Sequence, residues 1–187
     1  MIYIITGPSG VGKNTIINEV SNKIDINFVV SHTTREIREN EIDGVDYHFV
    51  SLEKFQSMIS NNEFIEFEEF NNNYYGTSIE ELEKNEDRIT ILDLEIKGAT
   101  NLLSNNEDYI GIFIDISNDL LIERLNSRGH TEDFINSRMK LAESQRSNKK
   151  IFKYFIENID LNTSVNQLVD IICTLEEIWL NHLLKNY

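Results

Sequence analysis

Near its amino terminus the chain reads Gly7-Pro8-Ser9-Gly10-Val11-Gly12-Lys13. The short apolar run Ile2–Thr6 comes directly before this loop and predicts a buried strand. Residues 13–23 follow it, and the apolar residues Ile16, Ile17 and Val20 have helical spacing. The loop therefore joins a strand to a helix, which is a building block of α/β proteins.

The glycines and the lysine of this loop suit it to bind phosphate. Glycines have no Cβ, so backbone N–H groups can curl around a phosphate, and the start of the following helix adds positive potential. The spacing Gly-x-x-x-x-Gly-Lys between a strand and a helix matches a Walker A loop, whose lysine reaches the β- and γ-phosphates. We predict a nucleotide-phosphate site formed by Gly7, Pro8, Ser9, Gly10, Val11, Gly12, Lys13, Asn14 and Thr15.

One position departs from the Walker pattern, which has Ser or Thr after the lysine as a ligand of Mg²⁺. Here Asn14 follows Lys13, and Thr15 comes next. An Asn carbonyl oxygen is also a suitable ligand for Mg²⁺. The side chain is longer by one heavy atom, so the metal or the loop must shift. Thr15 does not simply replace it, because successive helical residues point about 100° apart.

The rest of the chain alternates strand and helix patterns. Apolar runs predict core strands at residues 28–31, 89–94, 109–116 and 154–157. This alternation indicates an α/β protein with a parallel core sheet flanked by helices. The stretch 32–88 interrupts the rhythm with clustered short strands, which indicates an inserted mixed α/β lobe.

Within the inserted stretch, residues 47–50 and 63–70 read as strands on either side of a helix at Leu52–Ser60. Ile65 and Phe67 alternate with Glu66 and Glu68, so the two pairs face opposite sides of the strand. The tract 71–73 reads as a turn. Taken alone, Glu66 reads as the exposed half of an alternating strand.

Two capping patterns indicate where further helices begin. Ser78 with Glu81, and Ser164 with Gln167, each have the form of a capping box at a helix start. The second of these opens an amphipathic C-terminal helix. Trp179 in that helix reads as a packing residue rather than a functional one.

Charge and cysteine content exclude several classes of protein. The chain has 187 residues with 17 Lys and Arg against 32 Asp and Glu, a net charge of −15. That charge argues against a broad nucleic-acid surface or an anionic membrane partner. No apolar run is long enough to span a bilayer, and no signal peptide is recognised. The single Cys173 excludes an internal disulfide, so we expect a cytoplasmic protein.

Arginine is concentrated in an otherwise acidic chain. Six of the seven arginines lie in two segments, which contain Arg35 and Arg38, then Arg124, Arg128, Arg138 and Arg146. Arginine grips phosphate with two parallel hydrogen bonds. The clusters therefore favour an anionic ligand, although surface pairing with glutamate explains them equally well.

Three stretches resemble one family closely. They are Ser31-His32-Thr33-Thr34-Arg35, Glu63-Phe64-Ile65-Glu66 and Asn73-Tyr74-Tyr75-Gly76-Thr77. Together with the Walker loop, they are similar to guanylate kinases, which transfer a phosphoryl group from ATP to GMP. The resemblance runs from Ile2 to about Leu161.

The resemblance implies roles for the acceptor site. The GMP phosphate would be held by Arg35, Arg38, Tyr47 and Tyr75, with Glu41 orienting the arginines. Glu66 would accept hydrogen bonds from guanine N1–H and the exocyclic amine, and Ser31 and Thr77 would face O6 or the adjacent edge. Unpaired polar groups would then penalise AMP.

The stretch Asp93-Leu94-Glu95-Ile96-Lys97-Gly98 resembles the family's aspartate-x-aspartate-x-glutamine-glycine stretch. The resemblance implies that Asp93 belongs to the GMP site and holds Mg²⁺ through water, and that Asn14 is the second metal-binding residue. Glu95 replaces the aspartate that faces the guanine amine, and Lys97 replaces the glutamine. Both changes leave base selectivity open.

The second arginine cluster resembles the family's lid. Arg124, Arg128 and Arg138 would close over the transferring phosphoryl group, and the first two would also contact ATP. Asn158 matches an asparagine beside the donor adenine. Lys13, Arg35 and Asp93 complete the implied catalytic set.

The chain is thus interpreted as one domain, with a core formed by residues 1–31, 89–125 and 148–187. Residues 32–88 would form the GMP-binding lobe and 126–147 the lid. The implied activity is ATP-dependent phosphorylation of GMP, possibly also dGMP, with Mg²⁺. The implied partners are the small-molecule substrates ATP and GMP, without nucleic acid or membrane. Two alternatives stay open: a guanylate-kinase-like binding module without catalysis, favoured by Asn14, and a related kinase that acts on ribose bisphosphate. The oligomeric state is not predicted.

Overall fold

The computed structural model describes residues 1–84 and 88–185. Its strands are β1 (Ile2–Thr6), β2 (Ile26–Phe28), β3 (His32–Thr33), β4 (His48–Phe49), β5 (Phe64–Phe70), β6 (Asn73–Ser78), β7 (Ile89–Asp93), β8 (Tyr109–Asp115) and β9 (Tyr154–Glu157). Its helices are α1 (Lys13–Ser21), α2 (Leu52–Ser60), α3 (Ile79–Glu83), α4 (Ile96–Asn105), α5 (Asn118–Ser127), α6 (Glu132–Arg146) and α7 (Leu161–Lys185). A short 3₁₀ turn at Lys149–Ile151 precedes β9.

The core is a five-stranded sheet in the order β2-β7-β1-β8-β9, and all of its neighbouring strands run parallel. Side chains of β1 alternate between its two faces. Tyr3 and Ile5 pack on the side covered by α1 and α7, whereas Ile4 packs with Phe113 and Phe152 on the other side. Apolar burial on both faces explains why these strands read as nearly continuous apolar runs. The predicted parallel core sheet is confirmed.

A second sheet of four strands, in the order β4-β3-β6-β5, lies within the inserted stretch. Strand β6 pairs antiparallel with both β3 and β5. The sequence pattern predicts no strand at Asn73–Ser78, and it places Asn73 in the preceding turn. The turn itself is at Asn71 and Asn72, whose backbones both have positive φ.

Three local predictions need correction. Helix α7 begins at Leu161, and the side chain of Asp160 accepts the Thr163 N–H at 2.8 Å, so the predicted Ser164 capping box is wrong. The Ser78 hydroxyl does cap α3, but Glu81 turns away from it to pair with His48. Trp179 is 45% exposed, so it is not a core packing residue.

Helix α4 was also missed by sequence analysis. It starts directly after the carboxyl end of β7 and places Ala99 and Leu102 in the core. Over residues 1–84 and 88–185, no helix combines the length and apolar character needed to cross a membrane.

Candidate active site

The glycine-rich loop lies at the carboxyl edge of the core sheet, where parallel sheets usually bind ligands. Gly10 and Gly12 both have φ of +97°, a conformation that favours glycine. At Gly7, a Cβ would lie 1.9 Å from the Ile114 carbonyl oxygen, so only glycine allows the loop to pass β8 this closely. Helix α1 then begins at Lys13, as the Walker pattern predicts.

Lys13 sits between the loop and the end of β7. Its Nζ donates a hydrogen bond to the Gly7 carbonyl at 3.0 Å and lies 3.9 Å from Asp93 Oδ1. The parallel pairing of β1 with β7 places Asp93 beside Ile5, which brings the carboxylate to the loop. Burial raises the pKa of Asp93 to about 6, against the opposing effect of Lys13. A phosphate and a cation are the ligands that this pair of opposite charges can receive.

A cavity of about 420 Å³ opens from the loop toward the second sheet. It brings together most of the predicted site residues from both parts of the chain. Those that line it are Ser9, Gly10, Gly12, Lys13, Asn14, Thr15, Ser31, Arg35, Arg38, Glu41, Tyr47, Glu66, Tyr75, Asp93, Glu95, Arg128 and Arg138. Its wall does not include Gly7, Pro8, Val11, Thr77, Arg124 or Asn158.

Two arginines of the inserted stretch 32–88 are held by one carboxylate. Arg35 donates from Nη1 and Nη2 to the two oxygens of Glu41 at 2.8 and 2.9 Å, and the Arg38 backbone N–H donates to Glu41 at 2.9 Å. Burial alone would raise the pKa of Glu41, but the hydrogen bonds from Arg35 and Arg38 outweigh it and lower the pKa. The Arg35 guanidinium also lies 5.4 Å from the centre of the Tyr47 ring. Glu41 thus orients Arg35, while the Arg38 guanidinium is 70% exposed and lies 3.7 Å from Glu41 Oε1.

Glu66 lies on β5 and is only 8% exposed, whereas its neighbour Phe67 is 46% exposed. The reading of Glu66 as an exposed strand residue is therefore wrong. Its Oε1 accepts the Thr77 backbone N–H at 3.0 Å. Burial raises the pKa of Glu66 to about 7, and the Thr77 hydrogen bonds only partly offset this. Beside it, the hydroxyls of Ser31 and Thr77 lie 3.1 Å apart.

Arg128 and Arg138 line the cavity from the helical region that begins after α5. Arg138 lies over two rings, 4.8 Å from the centre of Phe134 and 6.0 Å from that of Phe70. Because Phe70 belongs to β5, Arg138 connects α6 to the second sheet. Arg138 is partly exposed in the cavity wall, so its guanidinium can also meet an anion there.

Arg124 and Asn158 lie behind the loop. Arg124 donates to the carbonyls of Val11 at 3.0 Å and Asn158 at 2.7 Å, and Asn158 Nδ2 also donates to Val11 at 2.7 Å. Both side chains thereby hold the loop in place. Asn158 Oδ1 is buried without a hydrogen-bond partner among residues 1–84 and 88–185. Arg146 instead pairs with Asp115 at 2.8 Å, outside the cavity wall.

Six further residues line the cavity and were not assigned to it from the sequence: Glu68, Phe70, Asn71, Asn73, Gly76 and Leu94. The strand alternation contained the signal for two of them. Glu68 and Phe70 share the face of Glu66, so placing Glu66 in a site places them there as well. Among the described ranges, no group of three His, Cys, Asp or Glu side chains could hold a metal ion.

Comparison with known proteins identifies the family. The sequence model of the family described as guanylate kinase matches residues 1–175. The chain is 43% identical over 179 residues to a guanylate kinase of Malacoplasma penetrans, covering 91% of each sequence. It is 38% identical over 185 residues to one of Carboxydothermus hydrogenoformans, covering 95% of this chain and 89% of the relative.

A solved structure agrees with these relatives. The guanylate kinase of Anaplasma phagocytophilum matches the fold with a TM-score of 0.78 at 30% identity, over 93% of this chain and 85% of that one. The α/β fold with its parallel core sheet flanked by helices is thus shared with a solved guanylate kinase. The chain belongs to the guanylate kinase family.

Proposed function

We propose that this chain phosphorylates GMP with ATP by direct in-line transfer. The observation that carries the proposal is the joining of two anion sites in one cavity. The wall of one cavity contains Lys13 and residues of the glycine-rich loop together with Arg35, Arg38 and the buried Glu66. Two phosphate sites and one buried acceptor suit a donor triphosphate and a purine monophosphate.

The chemistry requires no protein nucleophile. The GMP phosphate attacks the γ-phosphoryl group, and the protein holds both groups and neutralises the charge that spreads in the transition state. Lys13 would contact the β- and γ-phosphates, and Arg128 and Arg138 would approach the transferring group from the lid. Arg35, braced by Glu41, holds the acceptor phosphate in a fixed orientation. Arg124 acts on the loop backbone in the described arrangement.

Guanine selection is assigned to the buried end of the cavity. Oε1 of Glu66 is held by Thr77, and Oε2 would accept hydrogen bonds from the base. A carboxylate accepts from N1–H and the 2-amino group, whereas adenine offers no N1–H and no 2-amino group. The result is discrimination through unpaired donors and acceptors, which is the strongest form of selection available to a binding site.

Mg²⁺ is the metal that this chemistry implies. Asn14 and Asp93 both line the cavity next to the phosphate loop, and both offer hard oxygen ligands of the kind Mg²⁺ prefers. These two residues would hold the ion together with phosphate oxygens and water. When bound, Mg²⁺ neutralises charge on the triphosphate.

We also propose that two lobes move when the nucleotides bind. Residues 32–88 and 126–147 would close on the core formed by 1–31, 89–125 and 148–187. Closure would exclude water and suppress hydrolysis of ATP. The contact of Arg138 with Phe70 supports this proposal, because it already joins the two moving parts.

A kinase assay across acceptors tests the proposal. ADP formation is followed by a coupled assay with GMP, dGMP, AMP, UMP and ribose bisphosphate, and Lys13→Met serves as the control for contaminating kinases. We expect GMP to exceed AMP in kcat/KM by at least about 100-fold. Binding of both nucleotides without turnover would instead establish the binding module, and preferred use of ribose bisphosphate would establish the other kinase.

A further inference from the structure

Glu68 is a cavity-lining carboxylate for which the family resemblance provides no role. It lies two residues beyond Glu66 on β5, and both side chains face the cavity. The next residue, Glu69, is exposed on the opposite face of the strand. The strand therefore delivers two carboxylates, not one, to the end of the cavity assigned to the purine base.

The three glutamates at this end differ in their hydrogen bonds. Glu66 Oε1 accepts the Thr77 N–H at 3.0 Å, and Glu95 Oε2 accepts Gln145 Nε2 at 3.2 Å. Glu68 Oε2 is buried and has no hydrogen-bond partner within residues 1–84 and 88–185. A buried acceptor without a donor is costly, and because the Glu68 side chain lines the cavity, a donor on the ligand can supply the partner.

The charges around Glu68 also favour a hydrogen-bond donor as the partner of its carboxylate. Burial raises its pKa to about 7, and the neighbouring charges of Glu95 and Glu66 act in the same direction. Lys97 and the Gly98 backbone N–H, both in the first turn of α4, lower the pKa and favour the ionised form. These two groups do not reach Oε2, which stays without a partner. A neutral ligand group with N–H donors would pair with the carboxylate without adding further negative charge.

Guanine carries three N–H donors on one edge: N1–H and the two hydrogens of the 2-amino group. Glu66 has one oxygen engaged by Thr77, and Glu95, at the position of the aspartate that faces the amine, has one oxygen engaged by Gln145. A further carboxylate in the same wall can therefore share these donors. Resting on the use of GMP proposed above, we propose that Glu68 is a specificity residue that accepts a hydrogen bond from the 2-amino group of the purine. The substrate class that it selects is a 2-amino-6-oxopurine nucleotide.

The test compares GMP with IMP, which keeps N1–H and O6 but lacks the 2-amino group. Glu68→Gln and Glu68→Ala are prepared, and Glu69→Gln serves as the matched control on the outer face of the same strand. The KM of GMP and the inhibition constant of IMP against GMP are measured for each protein. The KM of ATP and the thermal unfolding midpoint show whether the variants remain folded.

We expect both Glu68 variants to weaken GMP binding by roughly tenfold or more, as for loss of a hydrogen bond to a charged group, and to change IMP binding little. Glu69→Gln should leave both unchanged. Equal weakening of GMP and IMP would assign Glu68 a structural role, and no change in either would remove it from the site. Either result overturns the assignment of Glu68 while leaving wild-type phosphorylation of GMP intact, whereas a wild type inactive on GMP would overturn the proposed function itself.

Discussion

Replacement of Glu66 by glutamine is the perturbation that separates base recognition from phosphate binding. Glu66 is 8% exposed, and its Oε1 accepts the Thr77 N–H at 3.0 Å. The amide oxygen of glutamine can keep that bond, so the fold of β5 and β6 should persist. The amide NH₂ then turns toward the cavity, where guanine also presents donors. Two donors facing each other leave both without an acceptor.

The size of the expected decrease in kcat/KM follows from the loss of the carboxylate's charge. Hydrogen bonds to a charged group contribute about 1.5–3 kcal/mol, which corresponds to a decrease of roughly 10- to 150-fold in kcat/KM for GMP. The coupled assay should show this decrease with varied GMP at saturating ATP. The KM of ATP should stay within about twofold, because Glu66 does not contact the glycine-rich loop. Glu69→Gln is the control on the exposed face, and a GMP kcat/KM unchanged in Glu66→Gln would refute the reasoning.

Four further outcomes are expected. Asn14→Ser should lower the Mg²⁺ concentration needed for half-maximal rate, and an unchanged Mg²⁺ titration would show that asparagine coordinates equally well. Gly98→Ala should reduce kcat/KM for GMP by roughly tenfold or more, because the new Cβ would lie 2.3 Å from Glu66 Oε2 and displace that carboxylate; wild-type kinetics would contradict this. Burial raises the pKa of Glu66 from 4.5 to about 7, so its protonated form stabilises the fold below pH 4.5 and this contribution is lost as the pH rises through 7. Glu66→Gln should therefore raise the unfolding midpoint more at pH 8 than at pH 5, and an equal shift at both values would contradict the assigned pKa. Residues 32–88 and 126–147 should move toward the core when both nucleotides bind, and crystal structures with and without them that superpose throughout would exclude closure.

The core of the fold could be predicted because its signals are local. Ile2–Thr6 is an apolar run that ends at a glycine, and Leu52–Ser60 has helical spacing after a capping serine, so both elements were predicted with the bounds that the structure has. Strand β6 has no such signal. Its polar residues form a strand because β3 and β5 supply hydrogen-bonding partners on both sides. Those partner strands lie outside residues 73–78, so the periodicity of apolar residues within that stretch cannot predict the pairing.

The C-terminal helix shows a different limit. Ser164 and Asp160 both offer side-chain oxygens suited to a helix start, and only the position of the chain after β9 decides that Asp160 caps α7. The apolar pattern correctly places Leu168 and Ile172 in the core. It extends to Trp179, but there the helix carries several exposed apolar side chains: Ile178, Trp179 and Leu180 are 59, 45 and 52% exposed.

The sequence predicted which residues form the candidate site better than it predicted the contacts between them. Resemblance to a family names residues such as Arg35 and Glu66, and the structure places both on one cavity. It does not reveal that Arg124 donates to the Val11 carbonyl behind the loop, since that contact depends on the packing of α5. Glu68 was missed for another reason: strand alternation placed it beside Glu66, but its missing hydrogen-bond partner is visible only in three dimensions.

The most direct test of the account is the stoichiometry of the reaction. The purified protein is incubated with equal amounts of GMP and ATP and Mg²⁺, and all nucleotides are separated by anion-exchange chromatography over time. We expect GDP and ADP to appear in a one-to-one ratio, at the expense of GMP and ATP, and neither to form with Lys13→Met. Formation of ADP and free phosphate without GDP, or no reaction despite binding of both nucleotides, would contradict phosphoryl transfer to GMP.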